Sequence, residues 1–350
     1  MLPATRIGPV GNARPGPFLE GIHGLRAIAA LSVVIFHSGG AIGSEKYQHL
    51  IEVKAAVSWM DAGVDLFFVI SGFVITLPLF LGRQEALGTY ALHRVLRIYP
   101  VAMLTAAIFA MLNGVVYGRG LTLEGIASSF LLLPSDDLPV PIVLWTLKQE
   151  LLFYAFVGIC FLHRRVGLVL LTIWAIASVL IEGETAVGRW FFQPRNIEFL
   201  CGMVAAYAYV AHPVPTRFGA PVALAGLVVF GVLAVLAAEV SRDILSPLLG
   251  VAGLVCLYGA ASSSLRLPVI LLTIGTASYS IYLIHYLLVS FCNKVLTHIV
   301  PDLPGMVALV ILASVATGAG YVYFLFAERR IERWRKRLRK RTCVPSGIAK

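Results

Sequence analysis

Long apolar runs alternate with short polar connections along almost the whole chain. A helix needs about 20 mostly apolar residues to cross the hydrocarbon core of a bilayer. Runs that we interpret as spans lie near residues 22–40, 61–81, 95–117, 142–162, 166–182, 196–211, 219–238, 245–261, 270–293 and 304–327. The pattern predicts an all-α polytopic membrane protein with about ten transmembrane helices.

An eleventh apolar run, residues 122–133, is too short to be assigned by length alone. If it does not cross, all the basic connections fall on one side of the membrane and the acidic or mixed ones on the other. The basic connections contain Arg83, Arg94, Arg97, residues 163–165, Arg217 and Arg266. Because cytoplasmic loops carry an excess of Lys and Arg, we predict ten spans with both termini cytoplasmic. Residues 122–133 then form a re-entrant or interfacial segment.

The composition excludes other classes of protein. Of the 350 residues, 59% are hydrophobic and 13% are charged, whereas a soluble domain has about 25% charged residues. A soluble multi-domain enzyme is therefore excluded. Disorder is excluded as well, because disordered chains have low hydrophobicity.

Positive charge is concentrated at the C-terminal end of the sequence. The net charge is +10, and nine of the 28 basic residues lie between residues 329 and 341. We interpret this stretch as a cytoplasmic tail that faces anionic lipid, and not as a nucleic-acid site. The predicted organisation is a cytoplasmic segment (1–21), an integral membrane domain (22–327) and a basic cytoplasmic tail (328–350). The cysteines show neither a CxxC motif nor metal-type Cys/His spacing, so no metal is expected.

The first predicted span carries Arg26 and His37. Polar ionisable groups inside a span cost roughly 2.5–3.5 kcal/mol each on insertion scales, so they are functional candidates. Eleven residues of helix place the two side chains about 20° apart on one face and about 16 Å apart along the axis. The alternatives are a snorkelling arginine and a helix-end histidine. Asp65 in the next span is placed to pair with His37, because the two spans form an antiparallel hairpin; a carboxylate there would orient the imidazole.

Arg94 and Arg97 lie at i and i+3 in the loop before the third span. Two neighbouring guanidinium groups suit phosphate, which arginine can bind bidentately. Topology alone is an alternative explanation for basic residues at this place.

The span 142–162 carries Thr146, Glu150 and Tyr154 on one face. A carboxylate as deep as Glu150 must face the bundle interior or a wet cavity; a structural pair with Arg or Lys is the alternative. Arg195 and Glu198 begin the span 196–211 and are weaker candidates. Tyr282 and His285 share a face of the span 270–293, although an intramembrane histidine is more often a hydrogen-bonded packing residue.

Together, these stretches resemble the membrane acyltransferase-3 family over about residues 18–327. The matching motifs are Gly24-Leu-Arg26…His37, Val64-Asp65-Leu-Phe-Phe-Val-Ile-Ser71-Gly72-Phe73, Arg94-x-x-Arg97-Ile-Tyr-Pro100, Trp145-Thr146-Leu-x-x-Glu150, Glu198-Phe-Leu-x-Gly202 and Ser278-Tyr-Ser-Ile-Tyr282-Leu-x-His285. Within the family, the chain is most similar to the exopolysaccharide acetyltransferases of Gram-negative bacteria.

The resemblance implies an O-acyltransferase of the bacterial inner membrane. Such an enzyme moves an acyl group, here acetyl, from cytoplasmic acyl-CoA to a hydroxyl of an extracytoplasmic carbohydrate such as exopolysaccharide. The resemblance implies catalytic roles for His37 and Arg26 and donor binding by Arg94 and Arg97. Lys148 departs from the family pattern, which has a small polar residue there, and a lysine alters the charge of the acceptor pocket.

The predicted topology fits this chemistry, because Arg94 and Arg97 are cytoplasmic and His37 lies near the outer surface. In our hypothesis His37 is the general base on the sugar hydroxyl, and Arg26 contacts the donor or stabilises charge on the thioester oxygen. Glu150 or Asp65 orients His37 or binds the acceptor. The candidate substrate-binding residues are Lys148, Tyr154, Arg195, Glu198, Tyr282 and His285. Direct transfer and an acyl-His37 intermediate both stay open.

Two alternatives remain at this point. Ten spans with buried ionisable groups also suit a proton-coupled secondary transporter. Transporters usually show inverted repeats, and no such symmetry is found in this sequence. The second alternative is the same chemistry on a macrolide or a lipid-linked sugar.

Overall fold

The computed structural model describes residues 17–44, 50–83, 85–117, 122–137 and 139–334. Most of the predicted N-terminal segment 1–21 and of the basic tail 328–350 lies outside the described residues. Within them the chain forms thirteen α-helices and no β-strand. The helices are α1 (Pro17–Ile42), α2 (Ile51–Ala56), α3 (Gly63–Phe80), α4 (Leu87–Tyr117), α5 (Leu123–Leu131), α6 (Trp145–Leu162), α7 (Arg164–Leu180), α8 (Ala186–Phe191), α9 (Asn196–Ala211), α10 (Thr216–Glu239), α11 (Arg242–Ser262), α12 (Val269–Ile299) and α13 (Gly305–Tyr323).

Eight segments in the described part of the chain are long and apolar enough to cross a bilayer. They contain α1, α3, α4, α6, α10, α11, α12 and α13. Two further predicted spans correspond to α7 and α9, which are 17 and 16 residues long and thus shorter than a standard span. The structure confirms an all-α polytopic membrane protein. The number of crossings and the side of the termini stay predictions.

Ion pairs and ring contacts distinguish two ends of the bundle. At the acidic end, which holds the first residues of α3, α6, α9 and α11, Arg195 lies between Asp65 and the ring of Trp145. At the opposite, basic end, Arg266 bonds Glu20, and Arg164 lies over a ring of α3. The loops that we predict to be external and cytoplasmic therefore lie at opposite ends of one bundle.

Several predicted boundaries shift. α4 begins at Leu87, so Arg94 and Arg97 lie inside a helix and not in a loop before the span. After α13 the helix passes through a π-helical turn, Phe324–Glu328, and continues to residue 334. Glu328, which the sequence assigns to the tail, is buried in the bundle, and so is Glu20 of α1. The folded bundle therefore extends beyond both limits of the predicted membrane domain.

The short apolar run 122–133 folds as α5, a helix of nine residues. Its rise of about 13 Å is insufficient to cross a bilayer. Thr122 caps it by accepting a hydrogen bond from the Gly125 N–H at 2.9 Å. Leu123 and Leu131 are exposed, whereas Ser128 is buried. The short amphipathic helix agrees with a segment that does not cross.

Glycines allow close approach of α3 and α9. A Cβ added to Gly202 would lie 2.0 Å from the carbonyl oxygen of Val69, and one added to Gly72 would lie 2.2 Å from that of Phe199. Both obstacles are backbone atoms, which cannot move aside as a flexible side chain can. Small residues commonly play this part between membrane helices.

Replacing Gly202 with leucine is therefore expected to destabilise the protein by at least the 1–3 kcal/mol or so that is typical of overpacking. The measurement is the melting temperature and the folded yield of the variant purified in detergent. Gly231→Leu is the matched control, because no atom lies within 4 Å of a Cβ at that position. Equal melting of the two variants would contradict the close α3–α9 contact.

Candidate active site

A cavity of about 420 Å³ lies between α1, α3, α4, α6 and α12. The wall of this arginine cavity combines an apolar surface, mostly from α3, with polar and charged residues, which include Arg26, Arg94, Arg97, Thr146, Glu150, Tyr154, Ser278 and Tyr282. Its α3 wall extends from Val64 to Ile75, which corresponds to about 16 Å of helix rise. The arginine cavity therefore runs along the bundle, from near the acidic end towards the basic end.

Arg94 lies at the basic end of the arginine cavity between two aromatic rings. Its guanidinium carbon is 5.1 Å from the ring centre of Tyr90 and 5.4 Å from that of Tyr154. Cation–π contacts of this kind hold the side chain in place without neutralising its charge. Arg94 forms no ion pair within the described residues. Arg94 thus keeps a positive charge at the end of the arginine cavity, and this charge can bind an anionic group.

Arg97, one turn further along α4, has a different environment. Its Nη1 donates to Oε1 of Glu328 at 2.5 Å, and the other oxygen of Glu328 accepts from the Ser280 hydroxyl at 2.7 Å. The guanidinium also lies 4.9 Å from the ring centre of Tyr279. The two arginines are therefore not an equivalent pair. Sequence reasoning missed Glu328, although an acidic residue at the junction between an apolar run and a basic tail was a usable signal.

Polar residues from three helices line the middle of the arginine cavity. Nε of Arg26 donates to the Ser278 hydroxyl on α12 at 3.0 Å. On α6, the Tyr154 hydroxyl donates to Oε1 of Glu150 at 2.6 Å. The predicted polar faces of α1, α6 and α12 therefore line one space, as we expect for ionisable groups inside a membrane domain.

Tyr282 lies at the end of the arginine cavity that is nearer the acidic end. Its hydroxyl is 2.9 Å from Oγ1 of Thr146. Nδ1 of His285 lies 2.7 Å from the Tyr282 carbonyl oxygen, so this nitrogen carries the proton and Nε2 is left as an acceptor. Nε2 is buried and has no hydrogen-bond partner in the part of the chain that the structure describes.

His37 lies beside His285 and not in the wall of the arginine cavity. Its ring centre is 5.1 Å from that of His285 and 5.2 Å from that of Tyr286. The described residues that line the cavity include Tyr282, whose ring centre is 5.7 Å from that of His285, but not His37. Side-chain contacts thus connect His37 to the cavity through two residues of α12.

The predicted pair of Asp65 and His37 is wrong. Asp65 is fully buried and lies 3.9 Å from Nε of Arg195 and 3.8 Å from Nη1 of Arg242. The physical reason is helix orientation: the His37 ring faces α12, whereas Asp65 faces the first turns of α9 and α11. Asp65 therefore belongs to a charged network at the acidic end.

That network also contains three other acidic residues and extends to α11. Nε of Arg195 lies 3.7 Å from Oδ1 of Asp243. Glu198 accepts from the Ser246 hydroxyl at 2.7 Å, and Arg242 bonds Asp61. Neither Arg195 nor Glu198 is among the described residues of the arginine cavity wall. Sequence reasoning missed Arg242 and Ser246. An arginine at the predicted external side, which is usually poor in basic residues, was a possible signal for Arg242.

A second, larger cavity of about 980 Å³ lies at the acidic end, between the first turns of α6 and α11, the end of α7, the helix α8 and the segments that precede α6 and α9. We call it the Lys148 cavity, after the lysine in its wall. The buried ammonium of Lys148 donates to the Ser128 hydroxyl of α5 at 2.7 Å. Of the residues predicted to bind substrate, Lys148 is the one found in this wall.

The fold and the arginine cavity define a multi-pass membrane protein with a charged channel-like cavity inside its helical bundle. A family model described as an acyltransferase domain matches residues 19–324. The chain belongs to this family, acyltransferase-3, and is therefore an acyltransferase, as the sequence motifs indicate. This assignment supersedes the transporter alternative.

The chain is also similar to a curated relative and to no solved structure. It is 30% identical over 333 residues to the exopolysaccharide production protein ExoZ of Rhizobium meliloti (strain 1021). The match covers 90% of this chain and 99% of that relative. No solved structure matches the chain.

Proposed function

We propose that this acyltransferase moves an acetyl group from cytoplasmic acetyl-CoA to a hydroxyl of an exopolysaccharide on the outer side of the bacterial inner membrane. The observation that carries the proposal is the arginine cavity. It extends through an acyltransferase bundle from Arg94, whose charge no described carboxylate neutralises, towards His37. Similarity to an exopolysaccharide production protein favours this acceptor over a macrolide or a lipid-linked sugar.

The basic end of the arginine cavity is suited to the donor. Coenzyme A carries phosphates, and Arg94 offers a guanidinium that no carboxylate neutralises among the described residues. The apolar α3 wall, which includes Phe67 and Ile75, suits the pantetheine arm. The thioester then reaches the neighbourhood of Tyr282. Arg26 lies about 16 Å along α1 from His37 by helix rise, so we assign it to donor contact and not to the carbonyl that reacts beside His37.

His37 is the general base in this mechanism. It takes the proton from a sugar hydroxyl, whose oxygen attacks the thioester carbonyl. A carbon–oxygen bond forms, the carbon–sulfur bond breaks, and the proton passes to the leaving thiolate. The neighbouring His285 and Tyr286 rings fix the position of the imidazole, which a catalytic group requires.

The two-sided reaction is tested in proteoliposomes that contain de-O-acetylated exopolysaccharide in their lumen. Radiolabelled acetyl-CoA added outside is expected to label the enclosed polysaccharide, because the donor and acceptor are used on opposite sides. Empty liposomes and liposomes with the polysaccharide added outside serve as controls. An absence of label under every arrangement would refute the proposed reaction. Label that requires both substrates on one side would refute the two-sided arrangement alone.

A further inference from the structure

The wall of the Lys148 cavity contains a buried amide whose oxygen is not satisfied. Gln149 is 3% exposed, and its Nε2 donates to the carbonyl oxygen of Trp190 at 3.0 Å. Its Oε1 has no hydrogen-bond partner within the described ranges. An unsatisfied buried acceptor is costly, and native proteins rarely contain one. Because Gln149 lines the cavity and the last torsion of a glutamine is soft, a donor bound in the cavity is the natural partner for this oxygen.

Both donors and acceptors line this wall. Lys148, next to Gln149, uses one hydrogen bond to Ser128, and an ammonium has three N–H donors. The carboxylates of Asp137 and Asp243 also line the cavity and can only accept when ionised. A ligand that matches such a wall must both donate and accept hydrogen bonds, as each hydroxyl of a sugar does.

Two tryptophans add flat apolar surface to the same cavity. Trp145 and Trp190 both line it, and Trp190 Nε1 donates to the carbonyl oxygen of Lys148 at 3.1 Å, which fixes the indole. Large aromatic faces beside a few placed polar groups are typical of small-molecule sites. The described wall holds four carboxylates and two cations, Lys148 and Arg189, so its net negative charge would repel an anion, and an acyl chain would leave the polar groups unpaired. A neutral polyol fits best.

The Lys148 cavity adjoins the arginine cavity at the first turn of α6. Trp145 lines the former, while the next residue, Thr146, lines the latter and bonds Tyr282. A sugar in the Lys148 cavity is thus separated by this one turn from the end of the arginine cavity where the thioester is proposed to react.

We propose that the Lys148 cavity binds sugar residues of the acceptor, with the Gln149 oxygen and the Lys148 ammonium recognising hydroxyl groups. The assignment rests on the proposed acetyl transfer to a polysaccharide. It gives a role to the lysine that departs from the family pattern. It also separates acceptor recognition from the arginine cavity, which serves the donor.

The test compares Gln149→Met with Asn293→Leu. Asn293 is a matched control, because it is a buried amide that also donates once to a backbone carbonyl, at 3.1 Å, and has an unpartnered oxygen among the described residues. It lines neither described cavity. Gln149→Met is expected to raise the KM for de-O-acetylated exopolysaccharide about tenfold. Binding of radiolabelled acetyl-CoA should be unchanged, and Asn293→Leu should retain the wild-type KM for the polysaccharide.

An unchanged polysaccharide KM in Gln149→Met, or an equal rise in Asn293→Leu, would overturn the proposed site. Retained acetyl-CoA binding shows that a variant is folded. If Gln149→Met does not fold, Asp243→Asn takes its place. This exposed lining residue keeps its shape when the charge that faces Arg195 at 3.7 Å is removed; the same rise supports the site and an unchanged KM refutes it. If the wild-type protein itself acetylates no polysaccharide, the proposed function fails and not merely the position of the acceptor.

Discussion

Replacing His37 with alanine is expected to lower acetyl transfer about 10²–10⁴-fold, which is the usual contribution of a positioned general acid–base group. Acetyl-CoA binding should persist, because the donor contacts assigned to Arg94 and Arg26 lie in the arginine cavity, whose described wall does not include His37. The measurement is the initial rate of label transfer from acetyl-CoA to de-O-acetylated exopolysaccharide, together with the donor Kd of the same preparation.

His298→Ala is the control for loss of a histidine. His298 is exposed near the end of α12, where its removal should affect neither the rate nor the donor Kd. A His37→Ala enzyme that transfers acetyl at the wild-type rate would exclude His37 as the base. The His285 ring would then be the next candidate, since it lies nearer Tyr282 and the arginine cavity.

The positions of the membrane helices were largely predictable from hydropathy. The predicted run 196–211 coincides with α9, and 142–162 ends with α6. The shared face of Arg26 and His37 was also predictable, because both side chains contact α12, at Ser278 and His285 respectively. These features depend on helix length and periodicity, which are properties of one segment at a time.

The partners of the buried charges were not predictable in the same way. Arg26 meets Ser278 and Arg97 meets Glu328 across more than 200 residues, and hydropathy does not determine which helices are neighbours. The misplaced Asp65 illustrates this. A hairpin argument brought it to His37, whereas the fold turns it towards Arg195 and Arg242. The unequal environments of Arg94 and Arg97 follow from the same long-range packing.

Replacing Arg97 is expected to destabilise the protein strongly, and replacing Arg94 is expected to weaken donor binding. Arg97→Met leaves Glu328, whose side chain is 5% exposed, as a buried carboxylate without its cation. Breaking a buried pair in this way typically costs about 3–5 kcal/mol, and the value here should lie near the lower limit because Arg97 is 30% exposed. The measurement is the denaturation midpoint in detergent.

The double variant Arg97→Met/Glu328→Leu separates the two roles. Because it removes both charges, most of the lost stability should return. A Kd for acetyl-CoA close to that of the wild type would show that Arg97 acts mainly through Glu328. Arg94→Met, one turn away on the same helix, should melt near the wild-type temperature. Its Kd for acetyl-CoA should rise about 10–100-fold, since hydrogen bonds to charged groups contribute about 1.5–3 kcal/mol.

The opposite pattern would contradict this division of roles. If the double variant lost as much donor affinity as Arg94→Met, both arginines would bind the CoA phosphates directly, and Glu328 would have to leave Arg97 when the donor binds. If Arg94→Met bound acetyl-CoA normally, the phosphates would lie outside the arginine cavity. Arg94 and Arg97 lie only three residues apart on α4, and the ion pair with Glu328 is what distinguishes them. A difference between Arg94→Met and Arg97→Met therefore reports on the contact with Glu328 and hardly at all on position along the bundle.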